Sequence, residues 1–514
     1  MSKKDGAVKS AAVIDIGSSE IRLKIAQSGK AGIKTLEAAA FPLAIGRETF
    51  TVGRISFATA DRACDIIKQY AKLSQEYGAD VLRVIATSAV REATNREYIL
   101  DQIRLRTGTT VDIVDSQEEK AYLYKLMLNA VDEDVKQSAL MVHIGSGTMG
   151  VAVVDGGRVP YNQNVRLGSL RISELFEDMQ EYSREFQLVV EEYLRSFTDA
   201  IEPFLPQNIK SFIATGNEIS LIGKLCGAET RGKVLFVKQE AFDALYGDIK
   251  YKPVNRIMTD YGLSQEKAEL LLPAMCIYDN LFAHTQADTI VAPIVSLTDA
   301  QLFEMLEPTA FEAMSALLDE STILSGVAMA RKFECRAAHY EAVVNLALKI
   351  FDKMKKLHGL GVRERLLLQC AAILHDCGKF INSRSHYTHS YHIIRGLDIV
   401  GLGLRETEIV ASIALYHSRI VPSPEQENYR MLSRGERVTV SKLAAILRLA
   451  DALDRSHGQK VLDFDVKLSD GALTLTAVSD RNMELEEWSF NEKGAFFEDV
   501  YGVEAVFKAK RVSR

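Results

Sequence analysis

Gly145-Ser146-Gly147-Thr148 lies between two apolar runs in residues 138–157, SALMVHIGSGTMGVAVVDGG, and has the make-up of a phosphate cradle. Gly145 and Gly147 lack Cβ atoms, so the backbone N–H groups of Ser146, Gly147 and Thr148 can close on an anion while two hydroxyls add donors. The design recurs at residues 11–27, AAVIDIGSSEIRLKIAQ, where Gly17 and Ser18 follow Asp15 between two apolar runs. One such loop is what any hairpin needs. Two of them, more than a hundred residues apart, point to a duplicated unit whose loops face one ligand.

Three further stretches carry polar groups at places where chemistry is done. Ser88 and Arg91 follow the apolar run 81–87, VLRVIAT, so they open a helix at a strand end, where Ser88 caps and Arg91 either forks onto a phosphate or lies on the surface. Thr215-Gly216-Asn217-Glu218 ends another apolar run and either faces a nucleotide or phosphate chain or is a plain βα loop. Glu118 and Glu119 follow Asp115-Ser116-Gln117, where acids in a first helical turn ordinarily offset the helix dipole. Histidine is segregated: eight of the ten (339, 358, 375, 386, 389, 392, 417, 457) lie after residue 338, so the C-terminal third has a chemistry of its own.

The elements that must position these groups follow from periodicity. Strands are predicted at 11–16, 20–27, 33–43, 81–87, 111–114, 138–144, 149–155, 158–165, 211–214 and 288–296, with helices near 58–79, from 116, near 181–203 and over 239–284. The α/β pattern ends near 310, spacings of three and four continue to about 456, and alternation returns after 461 in FDVKL, GALTLTAV, MELEEWSF and VEAVFKA. At 514 residues, 47% hydrophobic and 25% charged, the chain suits three or four globular domains. The polar start MSKKDGAVKS shows neither a signal peptide nor a spanning segment, so the expectation is a cytoplasmic protein with no membrane partner. Six cysteines without CxxC spacing fit reduced thiols, and a net charge of −7 argues against a general nucleic-acid binder.

In their order, AVIDIGSSEIRL, VIATSAVREATN, VDIVDSQEEKAYL, LMVHIGSGTMGV and FIATGNEIS resemble the exopolyphosphatase and guanosine-pentaphosphate phosphohydrolase family of the actin and sugar-kinase superfamily. LLLQCAAILHDCGKFI, HYTHSYHII, VASIALYHSR and LRLADALDRSH resemble the HD-type domain of its longer members. The resemblance implies two actin-like (ribonuclease H-type) α/β domains at 1–135 and 136–310, an all-α HD-type domain at 311–458 and a small β-rich tail domain at 459–514. It implies a homodimer and, as ligand, inorganic polyphosphate or a guanine nucleotide held between the first two domains. On the matching positions Glu119 is the general base, Asp15 holds Mg2+, and Gly17, Ser18, Ser88, Arg91, Gly145, Ser146, Gly147, Thr148 and Gly216 bind phosphate. In the HD-type part His339, His375, Asp376 and Asp451 match metal ligands for Mn2+, Fe2+ or Zn2+, His386, His389 and His417 lie where some such domains take a second ion, and Lys379 is placed to steady a phosphate.

The chain departs from the family at the loop it is recognised by. Members usually carry Asp-x-Gly-Gly-Gly-Ser-Thr-Glu, whereas His143 and Gly150 stand here in place of both acids, and the usual Asn-Ser of the first loop is Ser19-Glu20. Imidazole is a poor ligand for Mg2+. Either the N-terminal site hydrolyses with a rearranged metal, or it binds phosphates without turnover; the HD-type part is either a second metal phosphohydrolase or a scaffold.

Overall fold

The seven residues of β1 (Ser10–Ile16) are all buried, as a strand covered on both faces requires. In the computed structural model, which describes residues 9–30, 32–179, 183–469 and 471–512, β1 heads an antiparallel meander with β2 (Glu20–Gly29) and β3 (Gly32–Pro42). It pairs in parallel with β4 (Val81–Ala86), which pairs with β5 (Asp112–Ile113), giving the order β3-β2-β1-β4-β5. Ala12, Ile14 and Ile16 point to one face, beneath helices 57–76 and 96–107, while Ala11 and Val13 point to the other, with Leu302 and Leu306 of helix 297–306.

The second sheet repeats that order. β6 (Ser138–Ile144), β7 (Met149–Asp155) and β8 (Arg158–Val165) form the meander, and β9 (Ser211–Gly216) runs parallel to β6. A hairpin that the sequence pattern does not reveal, β10 (Glu229–Arg231) and β11 (Val234–Lys238), extends the far edge beside β12 (Thr289–Pro293), itself parallel to β9. The full order is β10-β11-β12-β9-β6-β7-β8. The two cradle loops are the β1–β2 and β6–β7 turns, equivalent places in the two sheets. The helix expected near 181–203 is Ser183–Ile201; residues 181–182, like residues 1–8, lie outside the described residues.

The chain divides into two compact units between Leu318 and Asp319. The second is built of helices, chiefly 337–353, 362–374, 386–395, 404–415 and 434–452. It ends in a sheet of β13 (Asp463–Ser469), β14 (Ala472–Ser479) and β15 (Glu504–Arg511). MELEEWSF, expected as a strand, instead opens an 18-residue helix, Glu484–Tyr501. Glu484, Glu486 and Glu487 suit its first turn, and Phe490, Phe497 and Tyr501 are buried at helical spacing. The helix is also the crossover that lets β15 pair in parallel with β14. Its Tyr501 hydroxyl donates to the Lys442 carbonyl at 2.9 Å, so the tail is continuous with the helices. Among the described residues no helix is long and apolar enough to cross a membrane.

Candidate functional site

The β1–β2 and β6–β7 turns both approach Ser88, the second of them because glycine permits it. A Cβ on Gly147 would lie 2.6 Å from Phe50 Cζ and 2.9 Å from Ser88 Oγ, and Ser18 Oγ is 3.4 Å from Ser88 Oγ. Between them opens a cleft of about 480 Å3 lined by Asp15, Gly17, Ser18, Ser88, Glu119 and His143, together with the whole 145–148 loop and Gly216. Residues from five separate stretches thus meet where the duplicated pattern requires. Arg91 does not line the cleft: its guanidinium donates to the Val114 carbonyl at 2.6 Å and stands 3.8 Å from Glu119 Oε2.

The 215–218 turn faces the ligand space. Asn217 Nδ2 donates to Ser146 Oγ at 3.1 Å, and a Cβ on Gly216 would press on the Tyr278 hydroxyl at 2.8 Å as well as on the Ile144 carbonyl. Gly168 is tighter still, since a Cβ there would overlap the carbonyls of Gly145 and Ser146. Its φ of −114° is open to any residue, so the constraint is purely steric. Gly168→Ala is therefore expected to cost about 1–3 kcal/mol by pushing the 145–148 loop out of place, measured by urea unfolding. A variant as stable as the wild type would show that the loop yields freely.

Burial dominates the electrostatics of this cleft. It raises Asp15 to about 6 against the pull of Arg22, with Glu119 and Glu20 adding to the rise. His143 is pushed well below the ordinary histidine range by burial and then by Lys120, so its imidazole is neutral at pH 7. Glu20 lines the cleft but is paired with Arg22 at 2.5 Å. Two buried carboxylate oxygens that face the cleft, Asp15 Oδ1 and Glu119 Oε2, have no hydrogen-bond partner among the described residues. Mg2+ is commonly held by one or two carboxylates plus substrate phosphates, so Asp15 fits as a protein ligand, whereas the end occupied by His143 and Gly150 offers none.

Glu218, behind the turn, accepts from Ser169 Oγ at 3.0 Å, and burial raises it to about 7. The folded state then binds a proton that the unfolded chain, with the ordinary glutamate value of 4.5, has already released. The stabilisation is fully present below pH 4.5 and is lost as pH rises through about 7. Glu218→Gln is expected to be more stable than wild type at pH 8 by about 3 kcal/mol, the gap closing towards pH 4.5. Melting curves at the two pH values check this, and equal gaps at both would refute it.

The second unit gathers histidines and aspartates by a different route. His375 and His417 follow the ends of helices 362–374 and 404–415, whose last-turn carbonyls lack helical partners. Each ring uses one: His375 Nδ1 donates to Ala372 O at 2.8 Å and His417 Nδ1 to Ala414 O at 2.5 Å. His386 Nδ1 donates to Ser383 O at 3.2 Å, and His339 Nδ1 to Asp454 Oδ2 at 2.7 Å. With every Nδ1 facing an acceptor, each Nε2 is turned inward, the orientation in which a neutral imidazole ligates metal.

Those Nε2 atoms meet in pairs at 3.2 Å, His339 with His375 and His386 with His417. Asp376 lies between the pairs: Oδ2 is 3.6 and 3.7 Å from the first, and Oδ1 is 3.4 and 3.9 Å from the second. Asp451 Oδ1 adds to the first pair at 3.4 and 3.7 Å. At 3.2 Å such a pair is bridged either by a proton, as an N–H···N hydrogen bond, or by a cation, and with the aspartates beside it the donor set fits one divalent ion per pair. The same acids attract protons. Burial opposes a charge on His339, yet Asp451, Asp454 and Asp376 outweigh it and lift the ring to about 9; a metal must displace that proton. His417 and His386 are both lowered, chiefly by burial, and present bare nitrogens at neutral pH.

His389 joins neither group. Its Cβ lies against the Gly378 turn, and of the three histidines expected near a second ion only His386 and His417 join Asp376. Two further members are invisible to motif reading: Asp454, which orients His339, and Lys493, whose Nζ donates to Asp451 Oδ2 at 2.5 Å from the helix misread as a strand. Asp454 has one signal, its spacing of three from Asp451 at a helix end. Lys379 stands beside Asp376 at 2.5 Å, and His457 stacks on His339 with ring centroids 3.7 Å apart.

With this geometry established, comparison with known proteins is specific. The Ppx/GppA phosphatase family profile matches residues 24–307, and that of Ppx/GppA phosphatase, domain III, matches residues 321–491. The chain is 19% identical over 476 residues to a guanosine-5'-triphosphate,3'-diphosphate pyrophosphatase of Photobacterium profundum, covering 90% of this chain and 91% of that one. It is 21% identical to the protein of the same name from Vibrio vulnificus, over 85% of this chain and 86% of the other. Among solved structures, an exopolyphosphatase from Cytophaga hutchinsonii aligns with a TM-score of 0.52 at 18% identity, over 58% of this chain and 98% of that one. A Ppx/GppA family member from Aquifex aeolicus aligns with a TM-score of 0.50 at 18% identity, over 59% and 99%.

Proposed function

The chain belongs to the Ppx/GppA phosphatase family, and from that premise we propose that its cleft hydrolyses the terminal phosphoanhydride bond of inorganic polyphosphate or guanosine pentaphosphate. The observation that carries this is Glu119, whose bare Oε2 borders a cleft walled by two phosphate loops. The 145–148 amides and the Ser18, Ser88 and Thr148 hydroxyls hold the terminal phosphate, and Gly216 gives the chain behind it room to pass. Glu119 takes a proton from water as the water oxygen bonds to phosphorus, the bridging P–O bond breaks, and the shortened anion leaves. Arg91 holds the Glu119 carboxylate in place from behind. Asp15 is the residue to hold Mg2+ brought in with the phosphates, and that ion's contribution is to neutralise the charge on the phosphate oxygens.

The reading extends to two actin-like domains over residues 1–135 and 136–310, supported by the repeated strand order, to an HD-type domain over 311–458 and to a small β-rich tail domain over 459–514. A homodimer in the cytoplasm is its natural setting, since two joined clefts suit a long polyanion. A second activity is favoured by the paired histidines around Asp376, which suit Mn2+, Fe2+ or Zn2+ and a metal-dependent nucleotide phosphohydrolase. Phosphate release from long-chain polyphosphate and from guanosine pentaphosphate, compared in wild type, Glu119→Gln and Asp376→Ala, tests both. Loss confined to Glu119→Gln upholds the cleft as the hydrolytic site; loss confined to Asp376→Ala transfers the chemistry to the histidine cluster.

A further inference from the structure

Beneath the phosphate loop lies an ammonium that hydrolysis by Glu119 leaves without a task. Lys120, on helix 116–130, is 1% exposed. Its stem runs through the space left free by Gly150: a Cβ there would stand 2.9 Å from Lys120 Cδ and 3.0 Å from Cε. Its Nζ donates to Thr148 Oγ1 at 3.3 Å and is 3.9 Å from Glu119 Oε1. Burying a cation on one long hydrogen bond and one loose ion pair is costly unless a further anion shares it. The geometry shows where that anion belongs. A hydroxyl that accepts from an ammonium is left with its own proton to donate, and Thr148 lines the cleft.

We propose that Lys120 is a fixed cation of the phosphate site, a positioning residue that acts through Thr148, so that a polyphosphate chain binds this cleft without a divalent ion. The inference rests on reading the cleft as a polyphosphate site. It also accounts for the neighbours: with a positive charge already below the loop, a neutral imidazole at 143 and a bare glycine at 150 are consistent with it, whereas carboxylates holding a second cation there would compete for the same space. Burial lowers the Lys120 ammonium and Glu119 supports it against Arg91, so an anion on the far side of Thr148 reinforces the protonated form.

Calorimetric titration with inorganic tripolyphosphate, in excess EDTA and in Mg2+, tests the idea. Wild type is expected to bind in both, with affinities within about 3-fold. Lys120→Met is expected to lose about 10- to 100-fold in EDTA and to regain part of it in Mg2+, which a merely structural lysine would not do. Thr148→Val, which keeps the lysine, is expected to lose about 10-fold, and the double variant no more than the worse single one, because both act on one contact. If Lys120→Met does not fold, Lys120→Gln, which keeps a donor towards Thr148 Oγ1 but no charge, decides in EDTA: a loss of about 10-fold upholds the inference and wild-type affinity overturns it. Wild-type binding that vanishes in EDTA, or Lys120→Met binding like wild type, overturns this inference and leaves the proposed function standing. Wild type that binds in neither medium overturns the proposed function itself.

Discussion

Glu119→Gln is expected to slow phosphate release from polyphosphate or guanosine pentaphosphate by about 10²- to 10⁴-fold while tripolyphosphate affinity stays within a few-fold of wild type. The substitution keeps volume and shape but removes the carboxylate charge, and with it the capacity to accept a proton and the loose ion pairs with Arg91 at 3.8 Å and Lys120 at 3.9 Å. Phosphoryl transfer asks little covalent chemistry of the protein, so the remaining rate reflects positioning by the two loops, which the variant retains. Glu119 Oε2 has no hydrogen-bond partner among the described residues, so an amide there disrupts no existing hydrogen bond. Single-turnover phosphate release beside a binding titration separates the two quantities. An unchanged rate would remove Glu119 from the chemistry, and lost binding would make it a structural residue.

Asp376→Ala is expected to strip the helical unit of bound metal, lowering Mn2+ affinity by about 10²-fold or more. Its two oxygens serve both histidine pairs, so a single substitution removes a ligand from each. Elemental analysis of purified protein should find close to two ions in wild type and almost none in the variant. Added Mn2+ should raise the melting temperature of wild type alone, since an ion that binds only the folded state stabilises it. His389→Ala is the control, expected to keep both ions because that ring lies outside the cluster. Metal retained in Asp376→Ala, or lost in His389→Ala, would refute this assignment of ligands.

Much of the cleft was legible because its logic is local. A Gly-Ser-Gly-Thr turn between apolar strands marks a hairpin wherever it occurs, and its repetition pointed to a duplicated sheet. The short alternating run MELEEWSF misled because eight residues do not separate a period of two from one of 3.6. The burial of Phe490, Phe497 and Tyr501 decides in favour of the helix, and two of those lie beyond the run itself. His389 misled for a related reason. Residues three apart on a helix share a side, and which of them enters a cluster depends on what the Gly378 turn pushes away.

By itself, then, the sequence determined the two glycine-rich turns, the alternation of strands and helices that carries them, and the family to which such an ordered set belongs, because each is written in contiguous residues. Only the tertiary structure decided the charges. No motif marks Lys120, which burial places beneath Thr148. Asp454 and Lys493 gain a role only where they meet His339 and Asp451. A pKa and a metal site are sums over neighbours distant in the chain, in a dielectric set by what excludes water. His143 and Gly150 were legible as a loss of acids; what replaces them could be seen only once the chain had folded.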